Sequence, residues 1–199
     1  RYAIEGMAAR VGARVVVVPA EPDGLSVDEA RIMAAIDERT RLVAISHVLF
    51  RSAFVVDAAP IVRHAHAMGA LVMLDAYHSV GVMPVDVQAL GCDFLAGGVL
   101  KWLCGGPGGC FLYAAPDVEA RARGAVRPGL TGWQAHVRPF AFDDAMEHAE
   151  GAWRWLTGTP SVPALYAALE GPRIVRDAGM AAIRAKSERQ TARLIALAD

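Results

Sequence analysis

The sequence predicts an α/β domain of three layers, in which a mainly parallel sheet lies between two layers of helices. Short apolar runs alternate with amphipathic helical segments along most of the chain. Each run is apolar on both faces, which is typical of strands in a parallel sheet that helices cover on both sides. With 199 residues, 54% of them hydrophobic, the chain can bury a substantial core.

The individual elements follow from local signals. The β-branched run 14–18 predicts a strand that ends at Pro19, which cannot donate to a sheet ladder. Ser26 and Glu29 form a capping box that predicts a helix to about Glu38. The remaining expected elements are a helix over 2–11, strands over 42–45, 71–74, 93–96 and 110–113, helices over 58–68 and 87–90, and one long amphipathic helix from about 172 onwards.

Composition and charge exclude several classes of partner. The 20 basic and 21 acidic residues nearly balance and form no basic run, which argues against a nucleic-acid or anionic membrane surface. No apolar segment is long enough to span a bilayer. The three cysteines form no Cys-x-x-Cys pair, and we expect reduced thiols in a cytoplasmic protein. No metal site is predicted, because His64 and His66 would point to different faces of their helix.

Asp75, His78 and Lys101 are the candidates for chemistry. Asp75 ends one apolar strand and Lys101 follows the next, and ligands of parallel sheets bind at such strand ends. Desolvation lowers the basicity of a lysine, as a Schiff base requires, and a carboxylate can hold a protonated pyridine ring. Together they predict pyridoxal 5′-phosphate as cofactor, with the pair Gly97-Gly98 giving the flat ring room. Taken singly, Lys101 is equally compatible with an ordinary surface lysine, Asp75 with an acid in a turn, and His78 with a polar histidine in a loop.

Several motifs extend this pattern over essentially the whole chain. They are Ser46-His47-Val48, Leu74-Asp75-Ala76-Tyr77-His78-Ser79-Val80-Gly81, Gly91-Cys92-Asp93-Phe94, Lys101-Trp102-Leu103-Cys104-Gly105-Gly106-Pro107-Gly108, Gly132-Trp133 and Gly158-Thr159-Pro160. In these motifs the chain resembles the class V aminotransferase family of fold type I enzymes that use pyridoxal 5′-phosphate. Within that family it is most similar to the kynureninase-like branch.

The resemblance implies a role for each candidate. Lys101 would form the Schiff base with the cofactor, Asp75 would bind the pyridine nitrogen and His78 would lie beside the ring. Trp133 would help to hold the cofactor phosphate, from the neighbouring subunit of a homodimer. Ser52 and Thr159 are further candidates for the substrate pocket.

The chain departs from the family at the two residues before the lysine. Family members usually carry His or Tyr there, preceded by Ser or Thr, and these side chains hold the phosphate. Here the positions are Val99 and Leu100, whose side chains cannot donate a hydrogen bond. We therefore expect the phosphate to depend on backbone amides and Trp133, or the site to be degenerate.

The activity that the resemblance implies is kynureninase-like, a hydrolytic cleavage of the Cβ–Cγ bond of an amino-acid substrate. Aminotransfer, a cysteine desulfurase or selenocysteine lyase activity, and a non-catalytic relative of the fold remain alternatives. The expected organisation is a large cofactor-binding domain over residues 1–172, whose first part would precede Arg1. Residues 173–199 would form a connector helix towards a small domain beyond Asp199.

Overall fold

A sheet of four strands forms the centre of the computed structural model, which describes residues 1–122 and 126–198. The strands lie side by side in chain order: β1 (Leu42–Ser46), β2 (Leu71–Asp75), β3 (Phe94–Gly98) and β4 (Cys110–Ala114). The first three strands are parallel, and β4 pairs with β3 in the antiparallel direction. The predicted mainly parallel sheet is confirmed, with one antiparallel edge strand.

The described residues form eight α-helices. They are α1 (Tyr2–Arg10), α2 (Glu29–Ala34), α3 (Ala58–Ala67), α4 (Val87–Leu90), α5 (Val118–Arg121), α6 (Val162–Ala167), α7 (Glu170–Ala178) and α8 (Met180–Ala198), with 3-10 turns at Trp133–Ala135 and Gly151–Trp155. Asp199, the last residue of the predicted connector helix, lies outside the described residues. No helix in the part of the chain that the structure describes is long and apolar enough to cross a membrane.

The core has two parts because successive strand residues face opposite sides of the sheet. On one face Val72 and Leu74 of β2 pack with Ile61 and Val62 of α3, and all four are almost wholly buried. Burying such side chains stabilises the fold by roughly 1.5–3 kcal/mol each. On the other face Phe94 packs against α5 and the Gly151–Trp155 turn. The two parts give the three-layer arrangement that the sequence predicts.

Two predictions near the start of the chain are wrong, the strand over 14–18 and the capping box, whereas the helix after the box is present as α2 and ends at Ala34, before Glu38. Residues 14–18 form no strand within the described residues, and Val16 and Val17 remain half exposed. A β-branched run needs a neighbouring strand to pair with, and sequence propensity does not supply one. The capping box is also absent. The Asp28 carboxylate, and not Ser26, accepts a hydrogen bond from the Ala30 amide at 2.8 Å.

The predicted long C-terminal helix is divided into two. Gly179 adopts φ +81° between α7 and α8, and its amide donates to the Val175 carbonyl at 3.1 Å. Glycine adopts this left-handed conformation without the steric cost that other residues incur, so it ends a helix whose amphipathic pattern continues. The helical character of the region is confirmed, and its continuity is not.

Asp93, just before β3, is a fully buried carboxylate with three donors. It accepts hydrogen bonds from the Val72 amide at 2.7 Å, from Nε2 of His66 at 2.8 Å and from Nη1 of Arg121 at 2.8 Å. Arg121 also pairs with Asp117, and this bond lowers the pKa of the Asp117 carboxyl below its usual range. The cluster fixes the start of the strand that leads to Lys101.

Candidate active site

Asp75 and Lys101 lie at the same edge of the sheet. Asp75 is the last residue of β2 and is in register with Ala96 of β3, two residues before that strand ends at Gly98. Lys101 follows three residues later. Because β2 and β3 are parallel, both residues come after the carboxyl ends of neighbouring strands, where ligands of such sheets bind.

Two close contacts pack the turn after Asp75 against the turn that carries Lys101. The Tyr77 ring lies so near Gly98 that a Cβ at Gly98 would be 2.3 Å from the Tyr77 Cε1 atom. A Cβ at Gly81 would be 2.7 Å from the Trp102 carbonyl carbon. Larger side chains at these glycines would force the turns apart. The chain thus brings the two candidate catalytic residues into neighbouring turns.

The backbone around Asp75 is firmly held and its carboxylate is exposed. The Asp75 carbonyl accepts from the His47 amide at 2.9 Å, and the Ala76 amide donates to the Ala96 carbonyl at 2.8 Å. The Tyr77 amide donates to Oδ1 of Asp75 at 3.0 Å. No donor in the described residues reaches Oδ2, which leaves that oxygen available to a ligand.

Lys101 is exposed, in contrast to the desolvated environment expected from the sequence. Its turn is closed by two backbone bonds, from Cys104 to Lys101 at 3.0 Å and from Gly105 to Val99 at 2.7 Å. Within the described ranges its amine forms no ion pair. The chain contains only one other lysine, Lys186 in α8, so a lysine-specific reagent has two possible side-chain targets.

The two residues before Lys101 differ in environment. Val99 is buried, and a Cβ at Gly105 or Gly109 would be within 2.7 Å of its side chain. Leu100 is half exposed. The glycine-rich loop therefore packs around an apolar side chain, and neither residue offers a donor to a phosphate.

His78 and Ser52 lie at the same edge of the sheet. The half-buried His78 ring meets the Phe50 ring edge-on, with 6.3 Å between their centroids. Phe50 and Ser52 belong to the loop after β1, in which the Ser52 hydroxyl oxygen accepts from the Phe54 amide at 3.3 Å. Both candidates therefore lie in the loops that follow β1 and β2, at the edge of the sheet where Asp75 lies, and their roles stay predictions.

Trp133 and Thr159 lie in another part of the chain. The Trp133 ring packs beside Phe140 and Phe142, with centroids at 5.3 and 6.3 Å, and lines a cleft of about 420 Å³. Thr159 is exposed, two residues after Thr157, against which Gly132 packs closely. No hydrogen bond, ion pair or ring contact among the residues described joins either side chain to the Asp75 or Lys101 turn, so their assignment to the site remains a prediction.

The sequence reasoning missed Tyr77 and His47. The space expected at Gly97-Gly98 is filled by side chains: the Tyr77 ring lies at Gly98 and the Phe111 ring at Gly97. His47 follows β1 as a buried side chain whose Nδ1 is hydrogen-bonded to the Ser79 hydroxyl at 3.1 Å. Burial lowers the pKa of His47 below its usual 6.5, which keeps the ring neutral. Its position at a strand end was the available signal.

A groove of about 560 Å³ lies elsewhere on the described residues. It is formed by the C-terminal ends of α2 and α3, with Ile36, His64 and Met68 among its lining residues. These helix ends lead into the amino ends of β1 and β2, opposite the edge that carries Asp75. The candidate site is therefore defined by its chemistry and its place in the sheet topology, and this groove is not part of it.

Comparison with known proteins identifies the family. The family model for class V aminotransferases matches residues 1–197. This chain belongs to the class V aminotransferase family. It is 33% identical to a kynureninase from Pseudomonas fluorescens over 77% of this chain and 36% of that protein. It is 32% identical to a kynureninase from Burkholderia mallei (strain SAVP1) over 86% of this chain and 41% of that protein.

A solved structure supports the fold. The cysteine desulfurase from Thermococcus onnurineus NA1 superposes with a TM-score of 0.76 over 95% of this chain and 45% of that chain, at 23% identity. The predicted fold, part of the large domain of a fold type I enzyme, is confirmed. The chain spans about two fifths of the length of the kynureninases that it matches.

Proposed function

We propose that this chain provides the cofactor-binding part of an amino-acid-converting enzyme, most closely a kynureninase-like hydrolase. Pyridoxal 5′-phosphate is the cofactor of its family. The observation that carries the proposal is the packing of the Asp75 turn on the Lys101 turn through Tyr77–Gly98 and Gly81–Trp102. This packing supports a site in which a carboxylate and a primary amine serve one ligand.

The residues present fit the ring of the cofactor. One carboxylate oxygen of Asp75 is available to a protonated ring nitrogen. The Lys101 amine, which forms no ion pair within the described ranges, is available to an aldehyde, and His78 lies at the same edge of the sheet. The phosphate lacks side-chain donors at Val99 and Leu100. Trp133 and backbone amides would have to hold it, and the cofactor would bind less tightly than with hydroxyl donors.

The chain's own groups would divide the work of catalysis. When bound, the cofactor supplies an aldehyde that combines with amines and a ring that accepts electrons from the substrate Cα. The Lys101 amine would hold the cofactor until substrate displaces it, and would then remove the Cα proton. The Asp75 carboxylate would keep the proton on the ring nitrogen, because a nearby negative charge favours the protonated form. His78 would orient the ring from the side.

The kynureninase-like reaction rests on the two relatives at 32% and 33% identity. In it, water would add to a γ-carbonyl of the substrate, and cleavage of the Cβ–Cγ bond would release alanine and an aromatic acid. The test is incubation of the cofactor-loaded full-length protein with kynurenine while anthranilate fluorescence is followed. We expect product from the wild type and none from Lys101→Ala. A protein that binds the cofactor at Lys101 but releases no anthranilate would contradict this activity.

Aminotransfer and sulfur release are the second candidates on the same site. Cys104 favours the latter, because its exposed thiol lies in the turn that carries Lys101. Pyruvate or glutamate formed from amino donors would support aminotransfer. Alanine formed from cysteine together with a persulfide on Cys104, which an added thiol reductant would release as sulfide, would support sulfur release if both were lost in Cys104→Ser.

A homodimer in the cytoplasm completes the proposal. Phe140 and Phe142 beside Trp133 are 79% and 74% exposed, which supports a subunit contact around that tryptophan. The three cysteines are free, as expected of a reducing compartment. Analytical ultracentrifugation of the full-length protein tests the assembly, and a monomer at micromolar concentration would contradict it.

A further inference from the structure

We infer that Tyr77 is a positioning residue for Asp75, and that its ring acts by resting against Gly98. This inference rests on the proposed function, since it concerns how the Asp75 carboxylate is held towards the cofactor ring. Tyr77 is two residues after Asp75 and reaches across to the end of β3, three residues before Lys101. It therefore touches both sides of the candidate site.

The link from Tyr77 to Asp75 is a single hydrogen bond. The Tyr77 amide donates to Oδ1 of Asp75 at 3.0 Å, and no other donor among the described residues reaches this carboxylate. An exposed aspartate with one local bond can rotate when its donor moves. The orientation of the Asp75 carboxylate thus depends on where the Tyr77 backbone lies.

The Tyr77 ring determines the position of that backbone. A Cβ at Gly98 would lie 2.3 Å from Cε1, 2.7 Å from Cζ and 2.9 Å from the hydroxyl oxygen of Tyr77. Gly98 pairs with Cys110 of β4, so the ring covers the strand end where a larger residue would protrude. Burial raises the pKa of Tyr77, and the neighbouring Cys110 and Asp75 raise it further. The ring is thus held at the end of β3, in the strand next to the one that ends at Asp75.

The ring, and not the hydroxyl, carries this role. The Tyr77 hydroxyl makes no hydrogen bond to any residue that the structure describes, whereas the ring carbons fill the space at Gly98. Phenylalanine should therefore replace tyrosine without loss of positioning. A small side chain at position 77, or an added methyl at Gly98, should disturb it.

The experiment measures pyridoxal 5′-phosphate binding to the full-length apoprotein by absorbance titration. We expect Tyr77→Phe to bind within about twofold of wild type, and Tyr77→Ala and Gly98→Ala to bind about tenfold more weakly. The double variant Tyr77→Ala/Gly98→Ala should bind no more weakly than Tyr77→Ala alone, because the added methyl then meets no ring. The pH midpoint of the bound cofactor's absorption should also shift in Tyr77→Ala, since that signal reports the charge near the ring nitrogen.

Gly97→Ala is the matched control. Its Cβ would lie 2.4 Å from Cζ of Phe111, so it introduces a similar collision away from Tyr77. It should lower the unfolding midpoint and leave the pH midpoint of the bound cofactor's absorption near wild type, because the Tyr77 amide still donates to Asp75.

The inference would be overturned by wild-type affinity in Gly98→Ala, by wild-type or tighter binding in Tyr77→Ala, or by additive losses in the double variant. Wild-type protein that fails to bind the cofactor would refute the proposed function together with the inference. Cofactor bound normally by both wild type and Tyr77→Ala would refute the inference alone.

Discussion

Replacing Asp93 by alanine would leave three donors without the acceptor that they share. These are the Val72 amide at 2.7 Å, the His66 ring at 2.8 Å and the Arg121 guanidinium at 2.8 Å. The Asp93 side chain is wholly buried, so water cannot take its place without rearrangement. Val72 is also buried, and its amide would lose its hydrogen bond.

The size of the loss follows from these environments. An unsatisfied buried amide costs about 1–3 kcal/mol, and a hydrogen bond to a charged group contributes about 1.5–3 kcal/mol. His66 and Arg121 side chains are 29% and 30% exposed and can regain water, and Arg121 keeps Asp117. Removing the buried carboxylate also removes the free-energy cost of desolvating its charge. We therefore expect Asp93→Ala to lower the free energy of unfolding by about 3 kcal/mol, near the bottom of the range for broken buried pairs.

The assay is urea unfolding of the full-length protein followed by circular dichroism. The control is Asp117→Ala, since that side chain is 59% exposed and its ion pair with Arg121 should contribute less than about 1 kcal/mol. A loss in Asp93→Ala no larger than in Asp117→Ala would refute the reasoning. It would mean that the cluster does not hold the start of β3.

Three further predictions concern the edge of the sheet that carries the candidate site. Asp75→Ala should lower the turnover number severely, because the protonated cofactor ring would lose the negative charge that stabilises it. A normal turnover number in this variant would exclude that role for Asp75. Gly81→Ala should lower the unfolding midpoint and weaken cofactor binding, since Gly81 has φ +91° and a Cβ there would lie 2.7 Å from the Trp102 carbonyl carbon. The control, in the same thermal melts and binding measurements, is Gly69→Ala, because Gly69 has φ +79° but open space around it. Equal effects of the two variants on cofactor affinity would contradict the packing argument. Burial lowers the pKa of His47 in the folded protein below 6.5. As the pH falls, this histidine is therefore protonated in the unfolded chain before it is protonated in the folded one, and the free energy of unfolding should decrease below about pH 6.5. His47→Gln should lose less stability than wild type between pH 7.5 and 5.5 in urea titrations, and parallel losses would exclude His47 as a cause.

The position of Asp75 and Lys101 could be predicted because it depends on local pattern and topology. Apolar runs before each residue mark parallel strands, and parallel strands end at a common edge. The sequence could not reveal what fills the space between them. The Gly97-Gly98 pair indicated room for a ligand, yet the side chains of Phe111 and Tyr77 occupy it.

The other differences also arise from contacts between distant segments. Asp93 was part of a recognised motif, but its partners His66 and Arg121 lie 27 and 28 residues away. The run 14–18 has the composition of a strand, and only a pairing partner would make it one. Gly179 interrupts a helical pattern that continues on both sides, because its left-handed backbone is not encoded in hydrophobic periodicity.

Reductive labelling tests the central claim most directly. The full-length protein is loaded with pyridoxal 5′-phosphate, reduced with borohydride and mapped by peptide mass spectrometry. The account predicts a phosphopyridoxyl group on Lys101, retained in Lys186→Ala and lost in Lys101→Ala. Labelling of Lys186 alone, or an unlabelled Lys101 in a protein that retains the cofactor, would contradict it.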